Sequence, residues 1–387
     1  MRLCETKNNH FVPQFYLRKF LNVSGNLQIF DKTRKNMYCT RDLRGIACSR
    51  NLYTITQKIT QNDINFFKKL SNIQKERSPE NEYIFILTCF LNDELSNLIS
   101  VKCNNEENKH FVENMVKDIL NESVSRNQEI LLSFYENDFQ RIYSKIINEN
   151  GIYSFLKTDE DPFVYISLKT IDFIYFQVLK KMNMYLKKKF GKQVACEKQN
   201  VSEMLNKIDY YDFVYYVLIQ YFRTENIIKL LGIKENIYDS LKLIEEKYKI
   251  NINNIMFLIL HFKTIVVFSS LINDGYRLFL IKNDTDYGFI TSDNPVINTY
   301  ADIIKNRPLR HGEFEIYFPL TPKIAVLYSK NVLDKDCPSN AQAWEITNTD
   351  KIYYWNNLIL RRSDRYVYAS SKEDIEKTIK MAKHLLF

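Results

Sequence analysis

The first apolar pattern in the chain is the stretch His10–Phe20, which reads HFVPQFYLRKF. Pro13 suits the first turn of a helix because its ring fixes φ near the helical value. Apolar side chains then recur at helical spacing, namely those of Tyr16, Leu17, Phe20 and Leu21. Gln14 and Arg18 lie four positions apart and share a different face. The pattern predicts a short helix that buries aromatic side chains and presents polar ones, with His10 just upstream.

Short runs of strand-forming residues follow this helix. Leu27–Phe30 and Met37–Cys39 predict two strands that form a hairpin around the polar loop Asp31–Asn36. Asn51–Ile55 predicts a third short strand. We therefore interpret residues 1–60 as a small α+β module.

Residues 61–285 are interpreted as a helical bundle, because apolar positions recur mainly at helical spacing up to about Ile281. Usual helix lengths predict roughly six to eight helices in this stretch. The most apolar segment, Met256–Ile272, contains a His and a Lys and is shorter than the about 20 apolar residues of a membrane span. It predicts a buried core helix, and no membrane partner is expected.

From residue 286 the pattern returns to short strands, separated by Pro, Asn, Asp and Ser. The predicted elements are strands at Tyr287–Thr291, Phe314–Phe318, Ile324–Tyr328 and Tyr366–Ala369 and a closing helix at Lys372–Leu386. Strand sequences at both ends predict that residues 286–387 pack with residues 1–60 around one small mixed or antiparallel sheet. The expected fold class is α+β, mainly a helical bundle in the middle.

Composition narrows the classes of function only slightly. The chain has 387 residues, a net charge of +8 and eight glycines, with no GxGxxG or P-loop motif. The mild positive charge is compatible with nucleic acid as a partner, and so is the lysine-rich run Lys180–Lys192, which equally fits a solvated helix end. The seven cysteines form no CxxC pair and the first ten residues are polar, so a reducing cytoplasm is the expected location.

Four polar sets stand out from this background. They are His10 with Gln14 and Arg18, Gln220 with Arg223 on an aromatic helix, Asp293 with Asn294 in the turn TSDNP, and Asp364 with Arg365. Each taken alone fits a local structural role, since Asp and Asn bond their own backbone in turns and an Arg can brace a strand end. Together they predict a shared polar cleft between the bundle and the sheet.

Seven ordered motifs carry a resemblance to a known family. They are HFVPQFYLRKF, IFDK (Ile29–Lys32), NLYTI (Asn51–Ile55), QYFRT (Gln220–Thr224), TSDNPV (Thr291–Val296), FPLTPK (Phe318–Lys323) and SDRYVYAS (Ser363–Ser370). In this order they resemble the bacterial domain of unknown function 4238 family, nearly end to end. The resemblance implies a stand-alone cytosolic protein, with some relatives found among antiviral defence genes. It implies no catalytic residue.

Two hypotheses of function follow. In the first, the chain is an anti-phage defence effector, most simply a nuclease acting on DNA or RNA. His10 would move a proton, and Asp293 would act as the base or bind Mg²⁺. The substrate would contact Gln14, Arg18, Gln220, Arg223, Asn294 and Arg365. In the second hypothesis the same cleft belongs to a non-enzymatic sensor, which recognises a phage protein or a nucleotide.

Overall fold

The computed structural model of the chain describes the N-terminal module, the C-terminal module and parts of the middle. The described ranges are 8–50, 99–102, 128–151, 153–155, 195–198, 209–224, 245–249, 267–300, 313–330 and 343–384, with isolated positions at 62, 65, 264, 265 and 332 and between 161 and 188.

The described ranges contain both strands and helices. The strands are β1 (Asn8–His10), β2 (Leu27–Asp31), β3 (Asn36–Thr40), β4 (Cys48–Arg50), β5 (Ile99–Lys102), β6 (Ala195–Lys198), β7 (Arg277–Asn283), β8 (Thr291–Ser292), β9 (Ile297–Asn298), β10 (Glu315–Pro319), β11 (Ile324–Ser329), β12 (Ala343–Ile346) and β13 (Tyr366–Ala369). The helices are α1 (Gln14–Leu17), which continues as a 3-10 turn at Arg18–Phe20, α2 (Gln128–Asn148), α3 (Asp209–Phe222), α4 (Thr349–Arg362) and α5 (Lys372–His384).

The two ends of the chain share one sheet, as the sequence predicts. Strands β3, β2, β13 and β8 lie in that order, and every neighbouring pair is antiparallel. The hairpin of β2 and β3 confirms the one expected from the strand pattern. The α+β class is confirmed, with a small sheet built from both ends. The domain boundaries at residues 60 and 285 stay predictions.

A second sheet separates two hydrophobic cores. Its strand order is β12, β7, β11, β10 and β9, with β12 parallel to β7 and the other pairs antiparallel. Along β11 the side chains alternate between the cores: Val326 and Tyr328 lie in one, Ala325 and Leu327 in the other. Because both faces are covered, every residue of β10 and β11 is buried.

The first core joins α1, α2 and α3 through aromatic rings. Residues 209–220 of α3 are all buried, as expected for a helix that is apolar on nearly every side. Phe139 of α2 stacks on Tyr216 of α3 with ring centroids 4.3 Å apart. Tyr16 of α1 donates to the backbone oxygen of Pro319 at 2.6 Å and lies 2.6 Å from the Thr291 hydroxyl. This helix therefore contacts both sheets.

The second core lies under α4 and α5. Asn348 caps α4 by accepting a hydrogen bond from the backbone N–H of Asp350 at 2.8 Å. Trp355 of α4 then stacks on Tyr317 of β10 at 4.4 Å. The sequence pattern did not predict α4, although its residues KIYYWNNLIL carry apolar side chains at helical spacing.

Two predicted elements differ from the structure. The expected helical pattern up to Ile281 is wrong at its end, because Arg277–Asn283 is the strand β7. A short run of consecutive apolar residues has the same sequence pattern in a buried helix as in a central strand that is covered on both faces. The predicted strand Tyr287–Thr291 is regular only from Thr291. Its backbone N–H groups at Gly288 and Ile290 donate to side chains of α5 and α4 instead of to a neighbouring strand.

Other predictions fall wholly or largely outside the described residues. These are the strand Asn51–Ile55, most of Met256–Ile272 and most of the lysine-rich run Lys180–Lys192. Within the described residues, every helix is too short or too polar to cross a membrane.

Candidate functional site

His10 sits at the end of β1, where its ring is held from both sides. Nδ1 lies 3.1 Å from the backbone oxygen of Ile46, and Nε2 lies 2.7 Å from the amide nitrogen of Gln14. A carbonyl only accepts, so Nδ1 carries the proton, and Nε2 accepts from the Gln14 amide. Partial burial lowers the pKa of His10, so the imidazole is neutral with its lone pair on Nε2.

The loop that holds His10 carries backbone strain. Ala47 adopts a φ of 48°, a left-handed conformation that costs a residue with a side chain roughly 1–3 kcal/mol. Its carbonyl oxygen accepts from the backbone N–H of Phe11 at 3.0 Å. The preceding carbonyl is that of Ile46, which fixes the His10 ring. The strained turn thus sets the orientation of this imidazole.

The end of α3 is connected to the region of His10 through the backbone oxygen of Phe11. Gln220 donates to it from Nε2 at 2.7 Å, and Arg223 donates from Nε at 3.1 Å. Both side chains are buried, and the Gln220 Oε1 atom is buried without a hydrogen-bond partner in the described structure. A buried acceptor left open in this way is unusual and marks a place where a donor would be stabilised.

Glu136 of α2 completes this group. Its carboxylate lies 3.7 Å from Nη1 of Arg223, and its side chain is 30% exposed. Burial raises the pKa of Glu136, and the charge of Arg223 only partly offsets this effect. The same guanidinium helps to lower the pKa of His10. We call the five side chains the histidine cluster; they are His10, Gln14, Glu136, Gln220 and Arg223.

Arg18 lies next to this cluster on the 3-10 turn that follows α1. It is exposed, whereas Gln14 four positions earlier is half-buried. The two side chains follow one face, as the sequence spacing predicts. Arg18 is therefore available to a ligand that approaches Gln14 from solvent.

Asp293 is built into a different arrangement. Its carboxylate accepts backbone N–H groups from Asp364 at 2.9 Å, Arg365 at 2.7 Å and Tyr366 at 2.7 Å. Its own N–H donates to the Tyr366 oxygen at 3.0 Å. Burial raises the pKa of Asp293, while the three N–H donors lower it. The side chain fastens the end of β8 to the start of β13.

Neighbouring polar residues extend this second arrangement. Asn294 donates to the backbone oxygen of Arg362 at 3.1 Å. Arg365 donates to Asp31 of β2 from Nη2 at 2.8 Å and from Nε at 3.2 Å. The Arg365 side chain and two backbone N–H groups hold the pKa of Asp31 at about 2. We call this group the aspartate clamp, which consists of Asp31, Asp293, Asn294 and Arg365.

The predicted site residues thus meet at two backbone locations. Gln14, Gln220 and Arg223 join His10 around Phe11, while Asp293, Asn294 and Arg365 meet at the start of β13. That all of the predicted site residues line one cleft stays a prediction.

The expected Mg²⁺ site at Asp293 also stays a prediction. In the described part of the chain, no three His, Cys, Asp or Glu side chains come together as a metal-binding group. The Asp293 carboxylate already accepts three hydrogen bonds.

Two members of these groups were not predicted as site residues. Asp31 was noted only as the first residue of the hairpin loop, although the IFDK motif contained it. Glu136 sits among ordinary polar residues of α2, in the run FYENDF, and no local pattern distinguishes it. Only the approach of α3, far along the chain, gives its carboxylate a cationic neighbour.

Taken together, these features define an α+β protein in which an N-terminal histidine lies in the electrostatic field of a buried arginine that follows an aromatic helix. The chain belongs to the family described as protein of unknown function (DUF4238), which matches residues 8–373. No curated protein and no solved structure shows significant similarity to the chain.

Proposed function

We propose that the chain is a ribonuclease, whose reacting groups belong to the histidine cluster. The observation that carries this proposal is the neutral His10, whose Nε2 lone pair is held at the half-exposed Gln14 amide beside Arg223. A base must be unprotonated and must reach the proton that it removes. His10 satisfies the first condition, and a substrate hydroxyl that replaces the Gln14 amide would satisfy the second.

Glu136 supplies a complementary group. A pair of titratable residues whose pKa values are moved in opposite directions is typical of acid–base catalysis. Here the pKa of His10 is lowered and that of Glu136 is raised. His10 is the base and Glu136 the acid in this proposal, and both lie within the electrostatic range of Arg223.

RNA is the substrate that this chemistry favours. His10 takes the proton of the ribose 2′-hydroxyl, and the 2′-oxygen forms a bond to the neighbouring phosphorus. The bond from phosphorus to the 5′-oxygen breaks, and Glu136 returns a proton to that oxygen. The products are a 2′,3′-cyclic phosphate and a free 5′-hydroxyl. Arg223 and the exposed Arg18 stabilise the phosphate charge by hydrogen bonds.

Asp293 receives no catalytic step in this proposal, because its carboxylate is engaged with the backbone. Mg²⁺ receives none either, since the described residues offer no group that fits it. In the wider role expected from the sequence, the enzyme acts in the cytoplasm as an anti-phage effector that degrades RNA during infection.

A second function is favoured by one specific observation. Gln220 and Arg223 both donate to the same backbone oxygen, that of Phe11. Such a brace fits a rigid, non-enzymatic module that senses a phage protein or a nucleotide. The two functions differ in turnover, which is measurable directly.

The test is cleavage of a labelled RNA by the purified full chain, with and without EDTA. We expect cleavage in both conditions, fragments that end in a cyclic phosphate, and no cleavage of DNA of the same sequence. His10→Ala should abolish the reaction, whereas Asp293→Asn should retain it in the folded fraction. Binding without any cleavage would support the sensor, and cleavage of DNA that requires Mg²⁺ would refute the proposed chemistry.

The proposed defence role has a separate test. Cells that express the wild-type chain should yield fewer phage plaques than cells that express His10→Ala at the same protein level. Equal plaque counts for the two strains across a panel of phages would refute the defence role. They would not bear on the proposed ribonuclease reaction, which the cleavage assay tests.

A further inference from the structure

A row of tyrosines crosses one face of the four-stranded sheet and emerges at its edge. Tyr38 of β3 lies opposite Ile29 of β2, which lies opposite Tyr368 of β13, so the three share a face. Tyr366 is two positions before Tyr368 and points to the same side. Tyr368 is fully buried and Tyr366 half-buried, while Tyr38 is 41% exposed. The row therefore runs from the core to solvent.

Two arginines lie beside the exposed end of this row. The guanidinium carbon of Arg365 lies 4.7 Å from the centre of the Tyr366 ring, and its side chain is 38% exposed. Arg34 is 73% exposed, and its Nε lies 3.9 Å from Asp31. Both guanidinium groups share the single carboxylate of Asp31, so this corner keeps a net positive charge.

The positive charge of the chain is concentrated in the segment that contains Arg34 and Tyr38. Residues 10–50 contain eight basic and two acidic residues, while the net charge of all 387 residues is +8. The two acidic residues are Asp31 and Asp42, and each already forms an ion pair with an arginine. A segment of about a tenth of the chain thus holds most of the excess positive charge, on the module that also carries His10.

An exposed aromatic ring and a half-buried one beside arginines on a sheet face match the chemistry of one ligand class. Bases of a single strand stack on aromatic rings, and phosphates pair with neighbouring cations, whereas a duplex keeps its bases stacked inside. A peptide added to the edge strand β3 would use backbone hydrogen bonds and would not need the arginines. The positive local charge favours a single nucleic-acid strand over a peptide.

We propose that the face formed by Tyr38, Tyr366, Arg365 and Arg34 binds single-stranded RNA, with bases stacked on the two tyrosine rings. This inference rests on the proposed function, and it names the form of the substrate: an unpaired strand held on the sheet face of the N-terminal module. We call this surface the tyrosine face.

The test is the dissociation constant of a fluorescent single-stranded RNA whose 2′-hydroxyls are methylated, so that the proposed reaction cannot cleave it, measured by anisotropy with the full-length chain. Loss of one stacking ring should weaken binding by roughly 5- to 100-fold in Tyr38→Ala. Tyr38→Phe keeps the ring and should stay within about twofold of wild type. Tyr354→Ala removes an equally exposed ring on α4 and serves as the matched control, with no change expected.

Competitors distinguish the ligand forms. Unlabelled single-stranded RNA should displace the probe, duplex RNA of the same sequence should displace it far less well, and Arg34→Ala should reduce the salt dependence of binding. The inference is overturned if Tyr38→Ala binds like wild type, or if duplex RNA competes equally.

Failure of the inference is separable from failure of the proposed function. A chain that cleaves RNA but whose affinity is unaffected by Tyr38→Ala keeps the ribonuclease and loses the tyrosine face. A chain that binds single strands through Tyr38 but cleaves nothing keeps the tyrosine face and loses the ribonuclease.

Discussion

The histidine cluster and the aspartate clamp contain similar residue types but use them differently. In the aspartate clamp, the Asp293 carboxylate accepts hydrogen bonds from three backbone N–H groups, and these bonds connect β8 to β13. In the histidine cluster, Nε2 of His10 accepts a hydrogen bond from the side-chain amide of the half-buried Gln14. The Oε1 atom of Gln220 has no partner in the described structure.

The difference teaches how to rank candidate site residues. Both regions combine an acid with an arginine, and each contains one buried amide oxygen without a partner in the described structure, that of Gln220 and that of Asn294. They differ in their central residue, because Asp293 is bonded to three backbone N–H groups and His10 Nε2 to the side chain of Gln14. A group whose bonds are all made to the backbone contributes to stability, whereas a group with an exchangeable partner can contribute to binding or chemistry. The following substitutions separate the two roles, in order of expected effect.

The largest effect is expected from the base of the cluster. His10→Ala should lower the rate of RNA cleavage by about 10²–10⁴-fold, the usual contribution of a positioned base, because no other described group replaces Nε2. The measurement is single-turnover cleavage, with thermal unfolding followed by circular dichroism as the control for folding. A His10→Ala variant that unfolds at a lower temperature but cleaves RNA at the wild-type rate when folded would show that His10 has a structural role, like the residues of the aspartate clamp.

The next effect concerns stability instead of rate. Asp293→Ala leaves three partly buried backbone N–H groups without their acceptor and should lower the free energy of unfolding by about 3 kcal/mol. Asp293→Asn keeps one side-chain oxygen and should lose less. Urea unfolding measures both. Unchanged stability together with complete loss of cleavage would show that Asp293 belongs to the chemistry.

The third effect is a pH dependence of cleavage. His10 acts as a base when it is neutral, and its lowered pKa makes that form available below pH 6.5. Glu136 acts as an acid when it is protonated, and its raised pKa extends that form above its usual range. The rate should therefore be highest on the acidic side of neutrality and fall by up to about tenfold per pH unit above it. Glu136→Gln should remove the fall at high pH, and a rate that rises steadily to pH 9 would contradict this assignment.

The smallest effect is expected from the partly exposed ion pair of the clamp. Asp31→Asn and Arg365→Gln should each change stability less than Asp293→Ala does, because water screens a pair whose arginine is 38% exposed. A double-mutant cycle in urea measures their coupling. A coupling as large as the effect of Asp293→Ala would contradict this ranking.

The sequence predicts the local parts of this structure well. The helix at Gln14, the hairpin of β2 and β3 and the strand Tyr366–Ala369 follow from short-range spacing and turn residues, which the structure reproduces. The pairing of the two chain ends also follows from where strand sequences are found. The helix, the hairpin and the strand depend on neighbours along the chain, and such neighbours are visible in the sequence.

The partnerships between distant residues were harder to predict. Nothing near Gln220 indicates that its amide binds the backbone of Phe11, and nothing near Glu136 indicates an arginine partner from α3. Asp293 was interpreted as a catalytic candidate because polar turns at strand ends often carry sites. Its three backbone donors come from residues more than seventy positions later, so its structural role became visible only in the fold.

The pairing of β2 with β13 has a consequence for synthesis in the cell. Arg365 and Asp31 are 334 positions apart, so their ion pair cannot form until residue 365 has left the ribosome. Contacts of such sequence separation form late in folding. A polypeptide interrupted before residue 366 would therefore carry the hairpin of β2 and β3 without the strand that joins it to β8.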